Sequence, residues 1–252
     1  VRALLVFGLV SSVGAASGQS IDVTASVELP KPVARSGDAG PFDNGANLKP
    51  IVVDAATRAK LDHLAAEYVD VARQSYPMIL RVLDYHPDQA PKPVHIVVTY
   101  AYGGVAATSG AGFGDQPGSV RIEVSAKYAL AHPDDLGMIN HEMVHVVQSY
   151  PQYDPVWLVE GIADYVRWFF WEPVGKRPHP NPAKATARDS YRTTGAFLYW
   201  ASTNYNLDLV PKLNAALHSN TYKESLFKDL TGYTLDQLNA EWLGSLKASK
   251  QS

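Results

Sequence analysis

The chain has 252 residues, of which 46% are hydrophobic and 19% charged, and its formal net charge is −3. That is the composition of a folding chain with one large domain or two small ones, not of a disordered segment. The absence of a basic excess argues against a nucleic-acid or anionic-membrane partner. The absence of cysteine excludes disulfides, thiolate metal sites, iron–sulfur clusters and thiol catalysis.

Ala3–Ala16 reads ALLVFGLVSSVGAA, preceded by Arg2 and followed by Ser17-Gly18-Gln19. A basic start, an apolar run and small residues predict a secretory signal peptide over residues 1–18, cleaved between Ala15 and Gln19. The expected protein is secreted, extracellular and not membrane-bound. Residues 19–50 read as an extension: a strand over Ile21–Leu29, then a Pro- and Gly-rich loop. Residues 51–252 read as one domain. Apolar spacing predicts a helix over Asp54–Ala72, with Pro77 kinking or ending it. Val94–Thr99 reads as a buried strand, Gly103–Gly118 as a loop, and Val120–Ser125 as a half-exposed strand. Helices are predicted over Leu136–Ser149, Val159–Trp171, Ser190–Thr203, Leu207–Leu217, Lys223–Leu230 and Thr234–Leu246. The last has Thr234 and Gln237 at capping-box spacing. Strands early and helices late predict an α+β fold: a small N-terminal mixed sheet and a mainly helical C-terminal half.

His141-Glu142-Met143-Val144-His145 is an H-E-x-x-H match. On a helix, His141 and His145 share a face and can address one metal ion, with Glu142 beside it as a general base. Met138, Ile139, Val144, Val146 and Val147 make this an apolar helix, where two histidines and a glutamate need partners. Glu160 is the candidate third ligand, because it interrupts the apolar run VWLVEGIADYVRWFFW and would be costly there unpaired. Two histidines and a carboxylate form a catalytic zinc shell with one open position. Gly161 is expected to permit close approach between these two helices. Asp164, one turn after Glu160, can accept the distal N–H of a ligand histidine, His141 foremost. The competing reading pairs Glu160 and Asp164 with Arg167. Gln148 shares the histidine face and could bond a backbone group or line the cleft. Asn140 is expected to bond a neighbouring loop.

HEMVHVVQ (141–148) and LVEGIADYVRW (158–168) resemble the basic secretory protein family of plants and bacteria, which are zincin-like metallopeptidases. GVAATSG (104–110), Ile122 with Ser125-Ala126-Lys127-Tyr128, and YRTTGAFL (191–198) extend the resemblance over about Ile51–Leu246. Ala107 stands where the family has an aromatic residue, and Gly195 where it has alanine. The resemblance implies a zincin-like fold with an active-site helix against the sheet, a zinc ion (Zn2+), and a peptide or protein substrate. It also implies His141, His145 and Glu160 as metal ligands and Glu142 as the base.

Metal-assisted hydrolysis also needs a donor for the oxyanion. Tyr191 and Arg192 are the candidates, with His179 and Tyr165 behind them. An extended substrate would add to an exposed strand edge, for which Val120–Ser125 is the expected strand. The Gly103–Gly118 segment could form the cleft rim. The protein is expected to act as a monomer. A zincin-fold binding or defence protein without catalysis is the other reading. Glu142 favours the enzyme, since a purely structural site needs no base beside its ligands.

Overall fold

A computed structural model of the chain describes residues 20–30, 53–87, 92–110 and 119–249. The expected signal segment and the loop after Pro30 lie outside these residues.

Four strands form one mixed sheet: β1 (Val23–Glu28), β2 (Val94–Thr99), β3 (Ala106–Ser109) and β4 (Val120–Ser125). Their order is β1-β2-β4-β3, with β3 antiparallel to β4 and the other pairs parallel. Register decides which side chains share a face. Val23, Val94 and Val120 align, as do Ala25, Ile96 and Ile122, then Val27, Val98 and Val124. This face carries the core. Ala106 and Thr108 of β3 pair with Val124 and Ile122, so they belong to the same face. The opposite face carries polar groups: His95 bridges the Thr24 and Ser26 hydroxyls at 2.9 Å each.

β4 alternates as its sequence predicts, yet it is not an edge. It is hydrogen-bonded to β2 on one side and β3 on the other. The edge strands are β1 and β3, and β3, beside β4, lies inside the segment expected to be loop. Ala106–Ser109 has no long apolar alternation, and its strand conformation comes from pairing with β4 rather than from its own residues.

Helix α1 (Ala55–Val82) begins at Asp54, whose side chain accepts the Thr57 N–H at 2.6 Å. It runs unbroken through Pro77. Proline removes one helical hydrogen bond. Burial of Tyr76, Ile79 and Leu83 on both sides of it outweighs that loss. A short helix α2 (Ala126–Ala131), which the sequence reading did not predict, starts at Ser125. Then come α3 (Gly137–Gln148) and α4 (Val156–Val166), the latter continuing as a π-helical turn over Arg167–Trp171. Helices α5 (Tyr191–Asn204), α6 (Leu209–His218), α7 (Leu226–Thr231) and α8 (Leu235–Ser249) follow. Thr234 and Gln237 form the expected reciprocal cap. The α+β expectation, with a small mixed sheet and a mostly helical remainder, holds. Among the described residues, no helix is long and apolar enough to cross a membrane.

Gly161 acts elsewhere than expected. A Cβ there would lie 2.1 Å from Thr194 Cγ2 of α5, so the close approach is between α4 and α5. Gly195 repeats the device from the other side: its Cβ would meet the Asp164–Tyr165 backbone at 2.9 to 3.0 Å. The two glycines let α5 seat on the helix that carries Glu160 and Asp164.

Candidate metal centre and cleft

All twelve residues of α3 are buried. Its two histidines are therefore not the surface pair that an isolated H-E-x-x-H could be. One turn of helix puts both rings on the side facing α4, where Glu160 meets them. His141 Nε2 lies 3.1 Å from Glu160 Oε2 and 3.1 Å from His145 Nε2. His145 Nε2 lies 3.6 Å from the same carboxylate oxygen.

The far sides of the rings fix their tautomers. His141 Nδ1 faces Asp164 Oδ1 at 2.7 Å. An ionised carboxylate only accepts, so Nδ1 carries the proton. His145 Nδ1 faces Gln148 Oε1 at 2.7 Å. The Gln148 amide donates to the Val159 carbonyl at 2.9 Å, which orients its oxygen toward the histidine. Both histidines thus donate outward through Nδ1–H and turn a bare Nε2 inward. Two imidazole lone pairs and a carboxylate oxygen then converge in a buried place. Such a group needs a cation, and His141, His145 and Glu160 could hold a metal ion. A proton answers the same need. Burial lowers the His141 pKa, but hydrogen bonds to Asp164 and Glu160 outweigh it and raise it to about 10. Burial raises that of Glu160, but its bonds to His141 and His145 bring it down to about 2.

Arg167 does not pair with Glu160 or Asp164. It is engaged by Asp135 and Glu172 instead. Asn140 bonds Ser75 of α1 at 3.0 Å rather than a loop.

Glu142 points to the sheet side. Its Oε2 accepts the Thr108 hydroxyl at 2.7 Å, while its backbone carbonyl lies 3.2 Å from the same hydroxyl. The hydroxyl has one proton, and the shorter, charge-assisted bond takes it. Thr108 reaches α3 because its register puts it on the core face of the edge strand. It stands within the GVAATSG segment that carries the family resemblance. Strand register, not local sequence, gives it its place beside Glu142.

A cleft of about 880 Å³ opens over this group, bordered by β3, α3, α4 and the start of α5. Tyr191 and Arg192 both line it; Tyr165 and His179 do not. Tyr165 is buried against Phe169 and Phe170, and His179 is exposed away from the cleft. The Tyr191 ring lies over His141, with centroids 6.1 Å apart and planes 17° from parallel. Ser190 and Tyr191 both have left-handed φ, 66° and 45°. Two such residues in succession are strained, and they turn the chain so that Tyr191 overhangs the cleft. Partial burial and then the charges of Glu160, Asp164 and Glu142 raise the Tyr191 pKa, keeping its phenol a donor. Tyr153 also lines the cleft, its ring 6.0 Å from that of His145. Nothing in its spacing pointed to it.

The family model described as "Peptidase of plants and bacteria" matches residues 56–242. The chain belongs to that family. The match runs from α1 into α8 and contains every residue of the buried group. No curated protein and no solved structure gives a significant match. The family description implies a peptide or protein substrate.

Proposed function

We propose that this protein is a secreted, zincin-like zinc peptidase. The observation that carries the reading is the convergence of His141, His145 and Glu160, their donor atoms within 4.8 Å of one another, beside a buried glutamate in the cleft of a peptidase-family chain. Two imidazoles and one carboxylate are the donor set of catalytic zinc, and such a set leaves a position open. A zinc ion held there would polarise the substrate carbonyl and acidify an attacking water.

The side chains supply the rest. Asp164 and Gln148 hold the two histidines in the tautomer that keeps Nε2 bare. Glu142 takes the proton from the attacking water and delivers it to the leaving amine nitrogen. Thr108 tethers one oxygen of that carboxylate, so the base is oriented before substrate arrives. The Tyr191 phenol donates to the oxyanion as the carbonyl carbon becomes tetrahedral. An extended substrate adds to the edge of β3 that is unpaired among the described residues, where Ala106, Ala107 and Thr108 border the cleft. Export follows from the apolar Ala3–Ala16 run.

The test pairs two measurements on one preparation: zinc content and hydrolysis of a broad peptide library. Wild type should carry one zinc and hydrolyse peptides, and Glu142→Gln should carry one zinc and hydrolyse none. Zinc-loaded wild type with no hydrolysis anywhere in the library would overturn the peptidase reading and leave a binding protein. N-terminal sequencing of exported protein should begin between Ala16 and Gln19; an intact Val1 would remove the signal-peptide part.

A further inference from the structure

Beside the cleft lies a second pocket of about 350 Å³. Asp135, Arg167 and Arg192 line both, so they form the wall between them. This wall has an uneven charge balance. Arg167 is buried, and its Nη2 is engaged by Asp135 and Glu172. Its Nε is buried with no hydrogen-bond partner. Lys176 supplies a second cation to Glu172 at 3.3 Å. The two carboxylates are thus already matched by two cations before Arg192 is counted.

Arg192 makes no ion pair among the described residues. Its guanidinium carbon sits 4.3 Å from the centroid of the Trp168 ring, and that of Arg167 sits 4.4 Å from the same centroid. Stacking on an aromatic face holds a guanidinium in place while leaving its N–H edge available. Trp168 is itself buried, and its indole N–H has no partner. Arg192 stands in the first turn of α5, where Ser190 offers no side-chain cap, so the positive end of the helix faces the same space. Asp189 is close by, but both its oxygens are occupied by Thr186. Of the other carboxylates, Glu142 holds Thr108, Asp164 and Glu160 hold His141, and Asp134 is exposed and lines the side pocket only.

The geometry points to a substrate carboxylate subsite built from Arg192, the Arg167–Trp168 wall and the first turn of α5. It selects peptides that place an Asp or Glu side chain, or a free C-terminus, beside the scissile bond. The inference rests on the peptidase reading and names the chemistry which that cleft prefers.

The experiment uses the full chain, zinc-loaded, and a synthetic peptide set with Glu, Gln or Lys at each position in turn. Each peptide is made with a free and with an amidated C-terminus. Hydrolysis is followed with wild type, and binding with zinc-loaded Glu142→Gln. At one position the Glu peptide should exceed the Gln peptide by about 10- to 100-fold, the worth of a charge-assisted hydrogen bond. Arg192→Gln should bring that ratio to about 1, and Arg192→Lys should restore part of it. Zinc content and circular dichroism check that both variants fold. If the gain follows the free C-terminus instead, the terminal carboxylate is the group recognised. Equal use of Glu and Gln with both termini, preference for Lys, or a preference that survives Arg192→Gln overturns the subsite. Acid-selective binding without any hydrolysis keeps the subsite and removes the peptidase reading, so the two failures are distinguishable.

Discussion

The two walls of the cleft are built on opposite principles. On the α3–α4 side, His141, His145, Glu160 and Asp164 are each less than 10% exposed. The outward Nδ1 of each histidine there has a partner. On the α5 side, Tyr191 is 53% exposed, two successive residues have left-handed φ, and the helix start lacks a side-chain cap. The first wall fixes its rings from behind and turns three donor atoms toward a place for a cation. The second holds groups whose partners must come from outside. A site that must bind an ion firmly and release a product benefits from that division.

Removing a donor from the buried wall should have the largest effect. His141→Ala or Glu160→Ala should abolish stoichiometric zinc binding, because among the described residues His141, His145 and Glu160 are the donor set. Elemental analysis of dialysed protein decides it: full occupancy in either variant would dismiss this ligand set. Glu142→Gln should leave zinc content and thermal stability near wild type while lowering hydrolysis by at least about 10²-fold, the low end for a general base. Undiminished hydrolysis by that variant would assign the base elsewhere.

The exposed wall predicts a different pattern. Tyr191→Phe removes one hydroxyl from a half-exposed ring, so zinc content should not move. The kcat should fall by about 10²-fold if the phenol meets the oxyanion, with KM changing little. An unchanged kcat would return Tyr191 to a packing role. Asp164→Asn acts on the buried wall and should show the reverse emphasis. The amide still accepts a hydrogen bond but loses the charge, and zinc affinity should drop by about 10- to 100-fold. Competition with a fluorescent chelator measures it, and wild-type affinity in this variant would reduce the His141–Asp164 contact to a structural one.

The two walls also differed in how far the sequence disclosed them. His141, Glu142 and His145 could be read because helical spacing converts directly into a shared face. Glu160 and Asp164 could be read because charge in an apolar run demands a partner. Gln148 was visible by the same spacing, though its bridging of His145 to the Val159 carbonyl was not. The edge strand escaped because Ala106–Ser109 is short and owes its conformation to β4. Thr108 escaped with it, since its contact to Glu142 depends on register across the sheet. Tyr165 and His179 were eligible by residue type alone, and tertiary packing turned one into the core and left the other on the surface. Pro77 reads locally as a kink or an end of the helix, whereas burial of Tyr76 and Ile79 carries α1 through it.

At His141 a proton competes with the metal. His141 is held up to about 10 by Asp164 and Glu160 despite its burial. Its pKa is raised above the unfolded value of 6.5. The proton therefore stabilises chelator-treated protein fully below about pH 6.5, and that contribution is lost as pH rises toward 10. Zinc needs the nitrogen bare, so binding must displace this proton throughout the intervening range. The apparent zinc affinity should accordingly climb about tenfold per pH unit between pH 7 and 9, one proton leaving per ion bound. Calorimetry in buffers of different ionisation enthalpy reads the same proton independently, as a heat that scales with the buffer. Glu160, brought down to about 2, is already ionised across this window and adds nothing to the slope. An affinity flat from pH 7 to 9, with heats indifferent to buffer, would mean that His141 is unprotonated before the metal arrives. The buried wall would then hold its converging lone pairs without a cation, contrary to the electrostatic argument on which the metal centre rests.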